Sequence, residues 1–493
     1  MIRKHWIQTF LTFLIFLFLV GPYLVLAVNI RGNFEFSYEQ WRSAFGYSVA
    51  QSFISALLTL VFGAIGGLGL LSWPRSSRKI AEVLLLLPSL VPTLFIMLAL
   101  FNFFQWMGQF PFGFWGIVLS HTVINMGMIS VLVSRMFKRS FPIVSDGSLV
   151  IGISNWRFYW HAGFLMNRKE WALMFFYLFA LFMASFSVPL LAGRVEHPVI
   201  EMLIFEKIKN HTTWSEAMVL SVLQMGFLIL VGLLVARPQT NMEEKGEMRL
   251  HQFAPSQWSA VVGVGVTILL LFSNLSGLRI GWQQWVSLDQ GGALLLSLVL
   301  GTISVAAGVG IGVLILTWCV LWVYPSPKFQ FFLLTYVSPS AVLTGFALLL
   351  LPPWEMSSVV MIIKMILGVV LLSFPICYRM ILEKRLSQLR SQYEAALVLG
   401  GSQSLIVGRI LWPQIRQEAL LVAGLSAFWA CGDYALSSVV AGRDLTLALT
   451  VKSLLGSYRL EFATFLSWVM IFLGVVFLMV FWKGYYVIRK KSF

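Results

Sequence analysis

The residues best placed to do chemistry form one segment in the last quarter of the chain, where a carboxylate and several small residues follow a fixed spacing. Glu394-Ala395-Ala396 is followed after three residues by Gly400, then after nine more by Ile410, and Pro413 stands three positions later. Small side chains on a helix let a partner surface approach closely, and a carboxylate can pair with a partner's arginine. The chemistry that this pattern indicates is protein docking.

The composition of this segment predicts its local structure. Residues 392–399 have helix-forming composition, which favours a short helix with Glu394 in its first turn, where a carboxylate complements the helix dipole. Gly400 can adopt a positive φ and end that helix. Pro413 is expected to begin the following span, since the first turn of a helix leaves its N–H groups unpaired in any case.

A weaker copy of this pattern occurs 248 residues earlier. Asp146 and Gly152 stand where Glu394 and Gly400 stand in the later segment, but the alanine pair and the proline are missing. The earlier segment is therefore expected to be a degenerate docking loop.

The elements that position these segments must be membrane helices. Of 493 residues, 59% are hydrophobic and only 11% are charged, and a soluble core cannot hide 41 Phe and 19 Trp side chains. Twelve continuously apolar stretches are long enough for helices that cross a hydrocarbon layer of about 30 Å. Their continuity favours helices over barrel strands, whose residues alternate. The expected spans lie near 6–28, 49–72, 80–104, 114–134, 171–192, 215–236, 258–275, 291–323, 329–351, 357–378, 418–441 and 460–482.

The distribution of Lys and Arg gives the expected orientation. If the N-terminus is cytoplasmic, the segments on the cytoplasmic side carry 25 basic residues and those on the outer side carry 9. Because cytoplasmic loops of membrane proteins are rich in Lys and Arg, both termini are expected in the cytoplasm. The net charge of +15 then reports membrane orientation, and nucleic acid is not an expected partner. Both docking segments, within 135–170 and 379–417, face the cytoplasm in this arrangement.

The order of small and charged residues indicates a tandem duplication. Four small residues of the second expected span recur in the eighth at a constant offset of 245, and the two docking patterns follow at an offset of 248. This predicts two six-helix halves, 1–236 and 258–493, joined by a polar cytoplasmic linker at 237–257. Since each half has an even number of spans, the repeats are expected to be parallel, in an all-α polytopic fold.

The spacing from Glu394 to Pro413 resembles the cytoplasmic loop of permease subunits in binding-protein-dependent bacterial ABC importers, apart from Trp412, where leucine is usual. The resemblance implies a transport subunit of the bacterial inner membrane, not an enzyme. It also implies two partners: a cytoplasmic homodimer of ATP-binding cassette subunits that docks on both segments, and a periplasmic binding protein that delivers the solute. No G-x-x-x-x-G-K-[ST] phosphate cradle occurs in the sequence, so ATP and Mg²⁺ are expected on the partner, and neither a cofactor nor a metal on this chain.

Fused permeases of this length resemble the thiamine and ferric-iron importers of bacteria. The stretch 429–459 is closer to the thiamine branch, so thiamine or a related cation is the favoured solute and ferric iron the next. Polar residues at membrane depth are candidates for the solute pathway, although helix packing and interfacial aromatic belts also place such residues there. The candidate pathway residues are Asp433, Ser185, Trp429, Tyr434 and Phe186.

Two other classes compete with this interpretation. A secondary transporter of two six-helix halves, driven by an ion gradient, predicts a charged, Gly-rich loop after the second span, which residues 73–79 do not provide. A membrane-embedded enzyme needs clustered histidines or acids that face a cavity, and the six histidines are scattered along the chain.

Overall fold

The structure is a computed structural model of the whole chain. It describes residues 2–28, 37–194, 196–209, 214–235, 258–286, 291–326, 329–330, 332–333, 340–354, 357–441 and 444–490. Within these residues every regular element is a helix. The expected linker at 237–257 lies outside the described residues.

Eleven helices precede residue 290, and one π-helical segment, π1, lies among them. They are α1 (Ile2–Val28), α2 (Tyr38–Leu71), α3 (Arg75–Leu90), α4 (Thr93–Met107), α5 (Phe114–Ile151), α6 (Asn155–Phe158), π1 (Tyr159–Leu165), α7 (Arg168–Met183), α8 (Ser187–Ala192), α9 (Ile200–Lys209), α10 (Trp214–Val235) and α11 (Trp258–Val286).

The remaining described helices and π-helical segments follow residue 290. They are α12 (Gly291–Val323), α13 (Ala341–Leu349), α14 (Ser358–Cys377), π2 (Tyr378–Leu382), α15 (Glu383–Val398), α16 (Gln403–Leu405), π3 (Ile406–Leu411), α17 (Trp412–Cys431), α18 (Ala435–Val440), α19 (Leu447–Gly456) and α20 (Leu460–Lys490).

The chain is a multi-pass helical membrane protein. Eight helical segments of the described residues are long and apolar enough to cross a membrane, and the bent pair α3 and α4 would make a ninth. The count of twelve spans stays a prediction. The expected spans 171–192 and 418–441 are each interrupted, after Met183 and after Cys431, and 329–351 lies partly outside the described residues.

The expectation of one continuous span at 80–104 is wrong. The helix stops at Leu90 and restarts at Thr93, and the two pieces meet at an angle of 100°. Pro92 has no N–H to continue the helix and disfavours the helical conformation for the residue before it. Val91 is accordingly extended, with φ −72° and ψ 146°.

The described residues form two compact units. Unit 1 comprises Met1–Ser37, Glu201–Leu230 and Leu278–Phe493. Its centre is formed by α12, α17 and α20, which pack along one another. The N-terminal helix α1 packs on α12 and α13, and the hydroxyl groups of Tyr23 and Thr344 share a buried hydrogen bond of 2.8 Å. A helix from the first 30 residues is therefore part of a unit built mainly from the second half.

Unit 2 comprises Tyr38–Ile200 and Val231–Gly277, and α2 packs along α5 at its centre. A Cβ at Gly63 of α2 would overlap Ile129 of α5, so glycine permits the close approach of these two helices. The second-half helix α11 is held in this unit by its polar residues. Asn274 donates to the Phe95 carbonyl oxygen at 3.2 Å and accepts from Asn102 at 3.0 Å.

Each unit thus contains the first helix of the other sequence half. A compact unit is defined by contacts, whereas a sequence repeat is defined by similarity between two parts of the chain. The predicted ends of the two halves, at 236 and 258, therefore remain a prediction. Hydrogen bonds between side chains are one means by which helices recognise each other in lipid, beside close packing at small residues. Tyr23 and Asn274 supply such bonds, one in each unit.

We expect Asn274→Leu to lower the free energy of unfolding by about 1–2 kcal/mol, because it leaves the buried Asn102 amide without this partner. The double variant Asn102→Leu with Asn274→Leu should recover most of that loss, since both polar groups are then gone. Thermal unfolding in detergent micelles measures both effects. Equal losses in the single and double variants would show that the amide pair does not hold α11.

Candidate functional site

The predicted docking segment lies at the end of a long helix. The helical run Ser358–Val398 would be about 60 Å long at 1.5 Å per residue, which exceeds the hydrocarbon thickness, and its polar last part is α15. The expectation that Glu394 lies in the first turn of a short helix is wrong. Glu394 is near the C-terminal end of α15, where the dipole does not favour a carboxylate, and Arg390 one turn earlier binds it at 2.9 Å.

The last turn of α15 exposes apolar side chains. Val398 and Leu399 are 88% and 87% exposed, far more than a folded chain normally leaves open for two adjacent aliphatic residues. Ala395 is exposed beside them and Ala396 is half-buried, while Glu394 and its partner Arg390 remain at the surface. The result is a small apolar patch beside a charged pair, which is the composition of a protein contact.

Gly400 ends α15, as the sequence predicts. Its φ is +78°, a left-handed conformation that favours glycine, and no atom lies within 4 Å of a Cβ built on it. The N–H of Gly400 donates to Leu397 and that of Gly401 donates to Ala396 at 2.9 Å, which satisfies the last carbonyl groups of the helix. The backbone of the turn is thereby fixed, although its side chains are exposed.

Hydrogen bonds attach the docking segment to α12. The Tyr393 hydroxyl donates to Gln403 Oε1 at 2.9 Å, and Gln403 Nε2 donates to the carbonyl oxygens of Trp322 and Tyr324 at 3.2 and 3.4 Å. The Tyr324 hydroxyl in turn donates to the Leu386 carbonyl at 2.8 Å. Burial raises the pKa of Tyr324 to about 12, so this donor keeps its proton at physiological pH.

The chain after Gly400 is helical from Gln403 onward. Leu411 has helical φ and ψ, so π3 continues directly into α17. Pro413 is the second residue of α17 and lies in its first turn, as the sequence predicts, although the helical run itself begins earlier, at Gln403. Because Pro413 lacks an N–H, one hydrogen bond of the regular α-helix is missing there, and the chain forms the wider turns of π3 just before it. Ile410 is half-buried in π3 and Pro413 is exposed.

The corresponding region of the first half has the same order of elements. Asp146 lies within α5, which ends at Ile151, and Gly152 follows with φ +69°. A four-residue helix and π1 come next. Asn167 donates to the carbonyl oxygens of Ala162 and Gly163 at 2.8 and 3.1 Å, so a side chain satisfies the backbone that the π turns release. The missing proline therefore does not prevent the π segment.

Three of the candidate pathway residues lie at the break between α17 and α18. Trp429 is half-buried in the last turn of α17, and Tyr434 is only 1% exposed. The Asp433 carboxylate accepts hydrogen bonds from the Ser437 N–H and hydroxyl at 3.1 and 3.0 Å. Asp433 therefore caps α18, which is the structural role of a carboxylate at a helix N-terminus.

The other two lie at the matching break in unit 2. Ser185 is half-buried between α7 and α8, and its N–H donates to the Phe182 carbonyl at 3.2 Å. Phe186 is 2% exposed and belongs to the core. Interrupted helices with polar ends are a common way to build a solute site in transporters, and both breaks have that form.

A buried carboxyl group was not among the sequence candidates. Glu201 in α9 is fully buried, and Gln224 of α10 donates to its Oε1. Burial raises the pKa of Glu201 from 4.5 to about 8, and hydrogen bonds from Ser340 and Gln224 offset part of that effect. A single acid within the apolar run 199–205 was the available signal in the sequence.

No group of three His, Cys, Asp or Glu side chains in the described residues is arranged to hold a metal ion. Comparison with known proteins gave no match to any protein-family model and none to a curated protein.

We expect Gly400→Ala to lower stability by about 1 kcal/mol, because a Cβ is strained at positive φ even where there is space for it. Gly400→Asn should cost less, since asparagine tolerates this conformation. Gly408→Ala is the matched control, because Gly408 also has open space around its Cβ but no positive φ. Thermal unfolding of the three variants in one detergent tests the claim, and an equal loss in Gly408→Ala would refute it.

A second prediction concerns pH. Because the pKa of Glu201 is raised in the folded chain, the folded state retains a proton that the unfolded state releases, so stability should fall as pH rises from 4.5 to about 8. Glu201→Gln should flatten this dependence while keeping the contact with Gln224. Unfolding midpoints measured across that pH range provide the test. An unchanged slope in the variant would show that another group is responsible.

Proposed function

We propose that this chain is the membrane permease subunit of an ATP-driven ABC importer. It forms the pathway for a small solute that a periplasmic binding protein delivers, and a cytoplasmic homodimer of ATP-binding cassette subunits supplies the energy. ATP and Mg²⁺ are bound by that homodimer, and the membrane is the bacterial inner membrane. The observation that carries the proposal is the exposed apolar end of α15, with Val398 and Leu399 beside the fixed turn at Gly400.

The geometry of this end suits the transmission of force. Arg385 of α15 pairs with Glu418 of α17 at 3.4 Å, and Tyr393 is tied through Gln403 to the end of α12. A patch that is exposed yet held by several bonds can pass a displacement to the helices behind it. An ordinary solvated loop is not expected to have these hydrogen bonds and ion pair together with two exposed aliphatic side chains.

The order of elements supports two related halves. A long helix, a glycine with positive φ, a very short helix, a π segment, a long helix, a six-residue helix and a ten-residue helix follow one another in both halves. The ten-residue helices begin alike: the N–H of Ile200 donates to the Ser48 hydroxyl and that of Leu447 to the Thr302 hydroxyl. Ser48 and Thr302 are 254 residues apart, so the register of α2 and α12 differs from the 245 that their small residues suggested.

Thiamine or a related cation is the favoured solute and ferric iron the next, on the strength of the resemblance within 429–459. Asp433, Trp429 and Tyr434 at one helix break, and Ser185 and Phe186 at the other, are the residues assigned to the pathway. The Asp433 carboxylate is bound to Ser437 at the start of α18, so a solute in the pathway would reach it by displacing that hydrogen bond.

The alternative is a secondary transporter of two six-helix halves driven by an ion gradient. The raised pKa of Glu201, a buried proton-binding group in α9, is the observation that favours it. Uptake into vesicles by the purified chain alone, with an ion gradient and no nucleotide, would establish this alternative. Uptake that requires ATP and an ATPase subunit would exclude it.

We expect Val398→Asp with Leu399→Asp to reduce solute-stimulated ATPase activity and uptake at least tenfold, because two charges replace the apolar contact. Each tenfold loss corresponds to about 1.4 kcal/mol. The measurement uses the full complex reconstituted in vesicles, together with its ATPase subunit and binding protein. The chain itself should still insert and fold, since both side chains are exposed.

Ser387→Asp is the control, because Ser387 is exposed on the same helix three turns before the patch. This variant should retain activity. Full ATPase stimulation in the double aspartate variant would overturn the assignment of the α15 end as the docking site.

A further inference from the structure

Two lysines from different helices of unit 1 share one aromatic ring. Lys209 Nζ lies 4.8 Å from the centroid of the Phe205 ring, and Lys452 Nζ lies 5.4 Å from the same centroid. Lys209 and Phe205 belong to α9, one turn apart, and Lys452 belongs to α19. Both helices are outside the membrane spans and fall in segments expected on the outer side.

The two helices occupy matching places in the sequence halves. Each has ten residues, and Phe205 and Lys452 are each the sixth residue of their helix. Contact between the same positions of two related elements is what a two-fold axis between them produces. In a permease of two related halves, such an axis marks the centre of the pathway. The lysine pair therefore lies where a solute would pass.

The charges of this pair are not neutralised by a close carboxylate among the described residues. The neighbouring Lys207 binds Glu216 at 2.8 Å, whereas neither Lys209 nor Lys452 has an ion pair of that kind within the described part of the chain. Glu201 shares the helix face of Phe205 and Lys209, but its raised pKa keeps it largely neutral. The helix dipole accounts for Lys209 in the last turn of α9, but Lys452 is not in the last turn of α19.

The charged form of Lys452 is disfavoured in this arrangement. Burial and, to a smaller extent, the charge of Lys209 lower its pKa to about 8, while Asp444 acts in the opposite direction. An anion beside the two ammonium groups would stabilise the charged form of Lys452 and so oppose the effects of burial and of the neighbouring charge. Two cations held near each other, one of them half-buried and neither in an ion pair among the described residues, are a common form of anion receptor.

We propose that Lys209 and Lys452, spaced by Phe205, bind an oxyanion group, phosphate or carboxylate, carried by the solute that enters the pathway. This inference rests on the proposed permease function and narrows its solute. The thiamine hypothesis becomes a phosphorylated form, and the ferric-iron hypothesis becomes a complex with an organic acid or phosphate. A lipid phosphate headgroup offers the same chemistry and must be distinguished from the solute.

The test follows the protonation of Lys452 in the full-length chain. Reductive methylation with ¹³C labels the lysines without removing their charge, and Lys452→Gln identifies the resonance of Lys452. In a maltoside detergent, which contains no phosphate, the pKa of Lys452 should rise by about one unit or more when inorganic phosphate or thiamine diphosphate is added. Thiamine itself, which lacks the oxyanion, should leave it unchanged.

Variants of Lys209 separate binding from simple repulsion. Lys209→Gln should raise the pKa of Lys452 without any anion and abolish the further response to phosphate. Lys209→Arg keeps the charge and should retain the response. Lys207→Gln with Glu216→Gln is the matched control, because it removes one charge of each sign from the same neighbourhood and should also leave the response intact.

The outcomes distinguish this inference from the permease function. No shift of the Lys452 resonance with either phosphate compound refutes the oxyanion site, whatever the ATPase measurements show. A shift that appears only with phospholipid vesicles and not with soluble phosphate assigns the site to a lipid headgroup and also refutes it. A shift with soluble phosphate in a chain that no ATPase subunit stimulates supports the oxyanion site while the permease function fails.

Discussion

The structure depends on one constraint, which is that backbone N–H and C=O groups in lipid must find partners within the chain. Long helices meet this demand along their length, so the interruptions are where the sequence has to supply something else. At Gly400 the turn returns its N–H groups to the last carbonyls of α15. After π1, the Asn167 side chain donates hydrogen bonds to two carbonyl oxygens of that segment. Between α17 and α18, the Asp433 carboxylate accepts a hydrogen bond from the Ser437 N–H. At each of these three points the released backbone groups find partners within the chain, and candidate functional residues lie at two of them, Gly400 and Asp433.

The sequence predicts local features of the fold well and distant ones poorly. The apolar runs predict membrane helices, and the glycine at position 400 predicts the end of α15, because both signals act over a few residues. Pro92 also carried the signal for the bend at Val91, but hydropathy averaged over the window concealed it. The helix-forming composition of residues 392–399 predicts a short helix with Glu394 in its first turn. In the structure residues 383–398 continue the helix of the tenth expected span. Gly368 lies within α14 without ending it, and the one proline of the run from Ser358 to Val398, Pro375, is followed by the π turns of π2.

The exchange of first helices was beyond what periodicity can show. A helix that is apolar on all sides gives no sign of which neighbour it packs against, because lipid and protein are equally acceptable to its surface. Tyr23 of α1 and Asn274 of α11 are polar residues of these helices, and each makes a side-chain hydrogen bond within the unit that contains it. The same limit applies to Glu201 and Lys452. Each is visible in the sequence as a charged residue, but its burial, which is the largest cause of its pKa shift, depends on how the chain folds.

One helical run joins the two ends of unit 1 that matter for the proposed permease. From Gln403 to Cys431 the backbone stays helical through α16, π3 and α17, a length of about 43 Å at 1.5 Å per residue, which exceeds the hydrocarbon thickness. Glu418 and Gln403 fasten its first part to α15 and to α12. Its far end stops at the Asp433 cap, and α18 and α19, with Lys452, follow within the next 25 residues. Because a helix of this kind moves as a rigid body, a displacement of the α15 end must reappear at the break beside Asp433. The place where the helix stops is therefore the place where motion from the cytoplasmic side can change the fit of a solute.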